Sequence, residues 1–366
     1  MRGTRLAVTA TALAAATSLA LANPAGAHPG RPAPVTTVLT TAVGAPFNLE
    51  VRHGKVLIAD GAGSIGRLNR DGTVQPVISG VEGASGVATS ADGRYLAYTF
   101  SEGGPPPETP YTGGGLKIRG PNGAEVVAST LAYEQQHNPD QHIRYGVANP
   151  SQCVVDELTR IGFPVSYTGL VDSHAYSVAA YGKGWVVADA GANALLRVSR
   201  TGKVSTLAVL PSQPALITAE AAANFGLDDC VVGVKYNFEA VPTDVEVGRD
   251  GHLYVTTLPG GPEDPSLGAR GKVYRVNPWT GKLKQVASGL LGATNLAISD
   301  GKIYVAELFG GRVALVRHGR VSEYVSLPGA LSVEAGPRGT LYAGTGITGP
   351  PSVVKITTGK GWKRWR

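Results

Sequence analysis

The sequence has little methionine and little charge of either sign. It contains one methionine among 366 residues, charged residues make up 16%, and no amphipathic pattern is long enough for a helical bundle. The 50 glycines instead favour a turn-rich, all-β protein. The formal net charge of +6 becomes +4 when the two arginines of the leader, Arg2 and Arg5, are subtracted. Because this charge is small and scattered, a nucleic-acid partner is not expected.

Several motifs of common enzymes and cofactor sites are missing as well. The chain has no HExxH or CxxC motif, no GxSxG elbow and no P-loop. Only two cysteines are present, Cys153 and Cys230. In an exported chain an even cysteine count predicts a disulfide, and two buried thiols are the alternative.

Long hydrophobic runs are confined to the N-terminus. Residues 1–27 read as a secretory signal peptide, with Arg2 and Arg5 before an apolar run over residues 6–21 and a small-x-small sequence ending at Ala27. We therefore expect a secreted protein that begins near His28, with a flexible stretch over residues 28–34. A retained membrane anchor is the alternative, but stable membrane insertion is not expected.

The mature chain repeats a four-stranded unit. Residues 292–327 contain four Val-, Ile-, Leu- and Tyr-rich segments separated by glycine-containing turns, which predicts an antiparallel meander. Its first two strands recur six times, beginning near Asn48, Gly86, Ser177, Asp244, Asn295 and Ser332. A four-stranded unit repeated at this spacing predicts an all-β, six-bladed β-propeller over residues 35–358.

Two insertions and both chain ends complete the expected architecture. Residues 35–43 form a β-branched segment, which we expect to close the last blade. Residues 131–172 and 211–240 are predicted to be partly helical insertions on one face, over the channel, where binding sites are common. The tail, residues 359–366, is basic and contains two tryptophans; it could contact an anionic surface or fray.

The residues at the start of each innermost strand are the first candidates for binding. Asn48, Ser177, Asp244, Asn295 and Ser332 are small and polar, so they could bind a ligand or could simply hydrogen-bond strand ends and water. Asn48, Asp244 and Asn295 are candidate ligands for Ca²⁺ or Mg²⁺. One carboxylate makes a poor Ca²⁺ site, however, so no cofactor is expected.

Acids and histidines supply the remaining candidates. Asp60, Asp189 and Glu307 each end a second strand before a glycine-rich link, which favours turn capping over catalysis. His137, His142 and His174 are candidate ligand-binding residues, and a histidine beside an acid could be a general base. The alternative is that these histidines belong to polar surface loops.

Most of the mature chain is similar to a known family, and the similarity is strongest over residues 171–308. The segments VVADAGANALLRVSRTGKVSTLAVLP, VPTDVEVGRDGHLYV and GKVYRVNPWTGKLKQVASGL, together with DSHAYSV, resemble the ScyD/ScyE family of exported propellers, which is common in actinobacteria. The resemblance implies a secreted six-bladed propeller related to the NHL and TolB-like architectures. It implies no reaction, because the family has no agreed catalytic residues to carry over.

Two functions are therefore compatible with the sequence. The first is an extracellular protein, expected to be monomeric, that binds a small molecule or another extracellular protein under the insertions. The second is a metal-dependent propeller enzyme of the lactonase or streptogramin-lyase kind. We favour binding, because no glutamate stands in the ring of small polar residues for a lactonase-type metal and no histidine for a lyase.

Overall fold

The structure is a computed structural model that describes residues 33–104 and 111–358. The predicted signal peptide, residues 28–32 and the basic tail lie outside the described residues. The described strands form seven four-stranded antiparallel sheets. None of the helices in the described residues is long and apolar enough to cross a membrane.

The elements follow one another in repeating groups of four strands. The N-terminal strand is β1 (Pro34–Thr40). The first group is β2 (Pro46–Arg52), β3 (Lys55–Asp60), β4 (Ser64–Leu68) and β5 (Val74–Ser79). The second group is β6 (Val87–Thr89), β7 (Leu96–Gly103), β8 (Tyr111–Arg119) and β9 (Glu125–Ser129). The first insertion then contributes α1 (Thr130–His137), β10 (Arg144–Val147), α2 (Gln152–Arg160) and β11 (Ser166–Thr168).

The second half of the chain continues the same order. The third group is β12 (Ala175–Tyr181), β13 (Gly184–Asp189), β14 (Ala194–Val198) and β15 (Val204–Val209). The second insertion holds β16 (Gln213–Leu216), α3 (Ala219–Asn224), a 3₁₀ turn (Asp229–Val231) and β17 (Lys235–Phe238). The fourth group is β18 (Pro242–Val247), β19 (Leu253–Thr257), β20 (Gly271–Val276) and β21 (Leu283–Leu290). The fifth group is β22 (Ala293–Ser299), β23 (Lys302–Glu307), β24 (Arg312–Arg317) and β25 (Arg320–Ser326). The last group is β26 (Ala330–Ala335), β27 (Leu341–Thr345) and β28 (Ser352–Thr358).

Tight turns make each group a meander. Asp300 and Gly301, between β22 and β23, have φ values of 50° and 71°, as in the two-residue turns that match the twist of antiparallel strands. An isolated meander would expose two apolar faces, and here successive sheets cover each other's faces. One apolar cluster joins Leu116 of the second group to Leu196 of the third, and another joins Leu195 to Val255 of the fourth. The sheets therefore stack around an axis as in a β-propeller, which confirms that part of the prediction.

The first strands of these groups enclose the axis. Each of these strands contacts the next: β2 contacts β6, β6 contacts β12, β12 contacts β18, β18 contacts β22, and β22 contacts β26. β26 contacts β2 and so closes the series. β1 pairs with β28, with Pro34 opposite Thr358, so both ends of the described chain lie in one sheet. The prediction that the N-terminal segment joins the last sheet is confirmed, although the strand covers residues 34–40 rather than 35–43.

The two insertions form one structural unit, which we call the insertion unit. Its sheet has the order β11-β10-β17-β16, so strands from both insertions pair side by side. The predicted disulfide is present and joins Cys153 of α2 to Cys230 of the 3₁₀ turn. The helices were predicted but the four strands were not. A helix separates β10 from β11 and β16 from β17, so no local hairpin pattern marks these pairs, and the pairing of β10 with β17 joins the two insertions. Both insertions precede the first strand of a group, so they occupy the same face of the molecule.

Candidate ligand-binding site

The small polar residues of the innermost strands link neighbouring sheets. Asn48 Oδ1 accepts the Val87 N–H at 3.2 Å, Asp244 Oδ2 accepts the Leu296 N–H at 2.8 Å, and Asn295 Oδ1 accepts the Val333 N–H at 2.8 Å. Ser177 donates to the other carboxylate oxygen of Asp244, and Ser332 donates to the Pro46 carbonyl at 2.7 Å. We call these five residues the belt. Each is at most 4% exposed, so the belt stabilises the ring from inside.

The belt residues fit a metal ion poorly. Both carboxylate oxygens of Asp244 and the amide oxygens of Asn48 and Asn295 already accept hydrogen bonds from the protein. Within the described residues, one group of three possible metal-ligand side chains has its donor atoms within 4.8 Å of one another, namely Cys153, Asp228 and Cys230. Both sulfurs of that group are in the disulfide. The belt therefore offers a metal ion no carboxylate oxygen that is free of protein hydrogen bonds.

The acids at the ends of the second strands cap the links between sheets, as the sequence predicts. Asp60 accepts backbone N–H groups of Gly44, Ala45 and Ala62. Glu307, which also pairs with Arg312, accepts the Leu291 N–H at 2.5 Å. Asp189 accepts the N–H groups of His174 and Ala192 and the hydroxyl of Ser173, at 2.7 to 3.2 Å. These carboxylates hold the chain that leads into each first strand.

The three candidate histidines are not brought together. His137 is exposed at the end of α1 and stacks on Tyr133, with ring centroids 4.3 Å apart. His142 is exposed in the loop before β10. His174 immediately precedes β12, and no contact joins it to either of the other two among the described residues. Of these three histidines, His174 is therefore the one that lies beside an innermost strand.

Aromatic side chains from three sheets meet at His174. Its Nδ1 lies 3.2 Å from Oη of Tyr111, the first residue of β8. Its ring also meets Tyr176 of β12, with centroids 5.6 Å apart, and Tyr176 meets Phe47 of β2 at 6.0 Å. We call Phe47, Tyr111, His174 and Tyr176 the aromatic cluster. Since β2 and β12 flank β6, the contact between Phe47 and Tyr176 crosses the end of β6 on the face that carries the insertion unit.

Burial keeps the aromatic cluster uncharged at neutral pH. It lowers the pKa of the His174 imidazole, although the carboxylate of Asp189 acts in the opposite direction. Burial, with the charges of Asp172 and Asp189, raises the pKa of Tyr111 to about 12. The pKa of Tyr176 is raised as well, mainly by burial and then by Asp244 and Glu263. The cluster thus presents aromatic faces with neutral hydroxyl and imidazole groups, which can donate or accept hydrogen bonds.

Acidic groups lie near the aromatic cluster. Burial, and then Asp189 and Asp140, raises the pKa of Asp172 to about 6. Burial raises the pKa of Glu134 in α1 to about 8, so this carboxyl is mostly protonated at neutral pH. Asp140 accepts hydrogen bonds from Tyr145 at 2.8 Å and from Asn193 at 3.0 Å, and it thereby ties the first insertion to the third group of strands.

Three glutamates form a second layer inside the ring. Glu50, Glu246 and Glu334 each lie two residues after a belt residue, on β2, β18 and β26. Burial is the main cause of the raised pKa of each glutamate, and the charges of Glu50 and Asp244 contribute to the raised pKa of Glu246 and Glu334. No glutamate was expected at the belt position, and none is there. This layer is not apparent from the first polar residue of each strand alone.

These glutamates predict an unusual dependence of stability on pH. Folding raises the pKa of these carboxyls above the value in the unfolded chain, near 4.5. The contribution of such a carboxyl to stability is fully present below the unfolded pKa and is lost as pH rises through the folded pKa. Replacing Glu246 and Glu334 with glutamine is therefore expected to raise Tm at pH 8 and to leave it nearly unchanged at pH 4. Thermal unfolding at both pH values measures this, with exposed Glu323→Gln as the control. Equal changes at both pH values would contradict the prediction.

Comparison with known proteins identifies the fold. No protein-family model and no curated protein sequence matches this chain. A PQQ-bound aldose sugar dehydrogenase from Streptomyces coelicolor has a TM-score of 0.52 and 12% identity over 90% of this chain and 100% of its own. A provisionally assigned gluconolactonase has a TM-score of 0.50 and 12% identity, covering 90% of this chain and 94% of its own. An auxiliary nutrient binding protein from Bacteroides thetaiotaomicron has a TM-score of 0.50 and 9% identity, covering 86% and 69%. The chain thus shares a propeller-type fold with enzymes and with a binding protein, and identities this low indicate fold alone.

Proposed function

We propose that this protein is an exported, six-bladed propeller of the ScyD/ScyE type that binds a small, neutral, hydroxyl-rich molecule at the aromatic cluster. The six groups of strands whose first strands contact one another in a closed series support the count of six blades. In this proposal the insertion unit is an addition to the ring and not a seventh blade. Membership of the ScyD/ScyE family rests on the segments quoted from residues 171–308.

Export is supported by the disulfide between Cys153 and Cys230, since such bonds persist in oxidising compartments. It is also what the leader-like composition of residues 1–27 predicts.

The composition of the aromatic cluster is the observation that carries the binding proposal. Tyr111, His174 and Tyr176 combine ring faces with neutral hydrogen-bonding groups, and Asp189 fixes the backbone of His174 at 2.7 Å. Aromatic faces beside a few fixed polar groups are what small-molecule sites in proteins usually present. The cluster disfavours an anionic ligand, because an anion would give up its hydration without gaining an opposite charge.

Substitution of His174 tests the proposal. Calorimetry with glucose, other neutral monosaccharides and inositol is expected to reveal binding, and His174→Gln is expected to weaken it about tenfold through loss of one buried hydrogen-bond partner. His142→Gln is the matched control, since His142 is exposed and outside the cluster. Binding that His142→Gln reduces and His174→Gln does not would refute the assignment, and so would the absence of binding across the panel.

An enzymatic role is the second candidate, because the imidazole of His174 is neutral and 3.2 Å from a tyrosine hydroxyl. Such an imidazole can act as a general base. Chemical conversion of a bound molecule by the wild type, abolished in His174→Phe while that same variant still binds the molecule, would favour this role. Unchanged ligand recovered after long incubation would favour binding alone.

A further inference from the structure

A second concave surface lies on the face opposite the insertion unit. It has a volume of about 500 Å³ and is lined by three turns, those between β12 and β13, β14 and β15, and β20 and β21. The insertions enter at the start of β12 and β18, whereas these turns follow the ends of β12, β14 and β20. Because antiparallel strands alternate in direction, the turns lie at the other end of the sheets. We call this surface the groove, and it is separate from the aromatic cluster.

The groove carries an exposed aromatic platform. Trp279 is 70% exposed, the largest exposed fraction among the exposed large apolar side chains of the described residues. The Trp279 backbone N–H donates to Asn277 Oδ1 at 2.9 Å, and the His252 ring lies edge-on to the indole with centroids 6.1 Å apart. Buried Trp185 and half-buried Tyr181 complete the aromatic lining. An exposed indole of this kind is typical of a binding surface rather than of a core residue.

The charge of the groove has one sign. Lys183, Arg197 and Lys203 line it, and no aspartate or glutamate is among its lining residues. The guanidinium of Arg197 donates to the Pro278 carbonyl and so connects the third sheet to the fourth. Lys183 and Lys203 are exposed and form no ion pair within residues 33–104 and 111–358. Their ammonium groups are therefore available to an anionic partner.

We propose that the groove binds an acidic carbohydrate, with a sugar ring stacked on Trp279 and a carboxylate held by Lys183 or Lys203. A sugar ring offers an apolar face to an indole, and its hydroxyls can hydrogen-bond the exposed serine, Ser205. Single-stranded nucleic acid would use the same types of residue, but it is bound by successive aromatic platforms along a basic path. Within the described residues a single indole is exposed, and the net charge of the chain is only +6.

Binding of defined probes to the full-length protein tests this proposal. The probe is oligogalacturonate, which carries one carboxylate on each sugar. Its methyl ester keeps the sugar rings without the charge, polyglutamate keeps the charge without the rings, and a single-stranded oligodeoxynucleotide represents nucleic acid. We expect oligogalacturonate to bind more tightly than the other three probes, with an affinity that falls as sodium chloride is raised.

Substitutions then locate the site. Trp279→Ala is expected to weaken oligogalacturonate binding about tenfold, and Lys183→Gln or Lys203→Gln about threefold each. Lys55→Gln is the matched control, because Lys55 follows the equivalent turn of the first sheet, between β2 and β3, outside the groove. Circular dichroism and Tm of each variant verify folding. A further variant neutralises the basic residues of the tail, Lys360, Lys363, Arg364 and Arg366.

Each alternative outcome overturns the assignment. Equal binding of the methyl ester would exclude charge recognition, and equal binding of polyglutamate would exclude the sugar platform. Tighter binding of the oligodeoxynucleotide would make nucleic acid the partner. If oligogalacturonate still binds to Trp279→Ala, or if binding is lost in the tail variant alone, the site lies elsewhere. If oligogalacturonate does not bind at all, the groove does not have this function. His174 variants are expected to bind oligogalacturonate normally, so this test is independent of the aromatic cluster.

Discussion

Asp189→Ala is expected to lower the free energy of unfolding by about 4 kcal/mol and to abolish ligand binding at the aromatic cluster. Asp189 is fully buried, and its carboxylate accepts hydrogen bonds from the His174 N–H, the Ala192 N–H and the Ser173 hydroxyl. Alanine would leave the N–H groups of His174 and Ala192 without a partner, whereas Ser173 would keep its bond to the Thr130 hydroxyl at 2.8 Å. Each buried unsatisfied group costs about 1–3 kcal/mol. The loss of the bond to the His174 backbone would also release the residue that contacts Tyr111 and Tyr176. Urea unfolding and calorimetry measure the two effects.

Glu307→Ala separates the loss of stability from the loss of binding. Glu307 is also fully buried and caps the equivalent link in the fifth sheet, where it accepts the Leu291 N–H. The Glu307→Ala substitution should lower the free energy of unfolding by a comparable amount. It should leave ligand affinity unchanged, because Glu307 has no contact with the aromatic cluster. If both variants reduce binding equally, the role of Asp189 is general stabilisation and not the positioning of His174.

Replacing Cys153 and Cys230 together with serine is expected to lower the free energy of unfolding by about 4 kcal/mol. The disulfide closes a loop with a sequence separation of 77. In the chain-entropy account, closing a loop of this length raises the free energy of the unfolded chain by about 4 kcal/mol. Removal of a native disulfide commonly lowers the free energy of unfolding by about 2–5 kcal/mol. Because the bond lies within the insertion unit, that unit should become the first region to unfold. Limited proteolysis of the variant should cut within residues 131–172 or 211–240.

Reduction of the wild type provides the control for the serine substitutions. If the cross-link itself is responsible, reduced wild type and the double variant should have the same Tm and the same cleavage sites. A double variant as stable as the oxidised wild type would show that pairing between β10 and β17 is sufficient to hold the two insertions together.

Local patterns explain why much of the fold was predictable. Each meander is encoded by neighbouring strands and by turns such as Asp300-Gly301, whose positive φ values suit Asp-Gly or Asn-Gly. The capping roles of Asp60, Asp189 and Glu307 followed from their position before glycine-rich links. Likewise, the β-branched segment near the N-terminus needed a partner, and the last group of strands lacked one.

The remaining features depend on residues that are distant in sequence. Pairing of β10 with β17 places Gly146 opposite Asn237, and nothing in either insertion alone marks that register. The aromatic cluster joins Phe47, Tyr111 and Tyr176 across three sheets. The belt residues were correctly placed on the innermost strands, but their partners are backbone groups of the neighbouring sheet, which no sequence pattern displays. Similarly, the layer of glutamates becomes visible only when alternate residues of three strands are compared across the axis.

The pairing of β1 with β28 has a consequence for biosynthesis. β1 is the first described strand to be synthesised, whereas its partner, β28, is the last. β1 therefore remains unpaired until β28 has been synthesised. The last sheet therefore cannot be completed before β28 has been synthesised. Such a delay is compatible with the proposed export, because the last sheet is complete only once β28 has been synthesised.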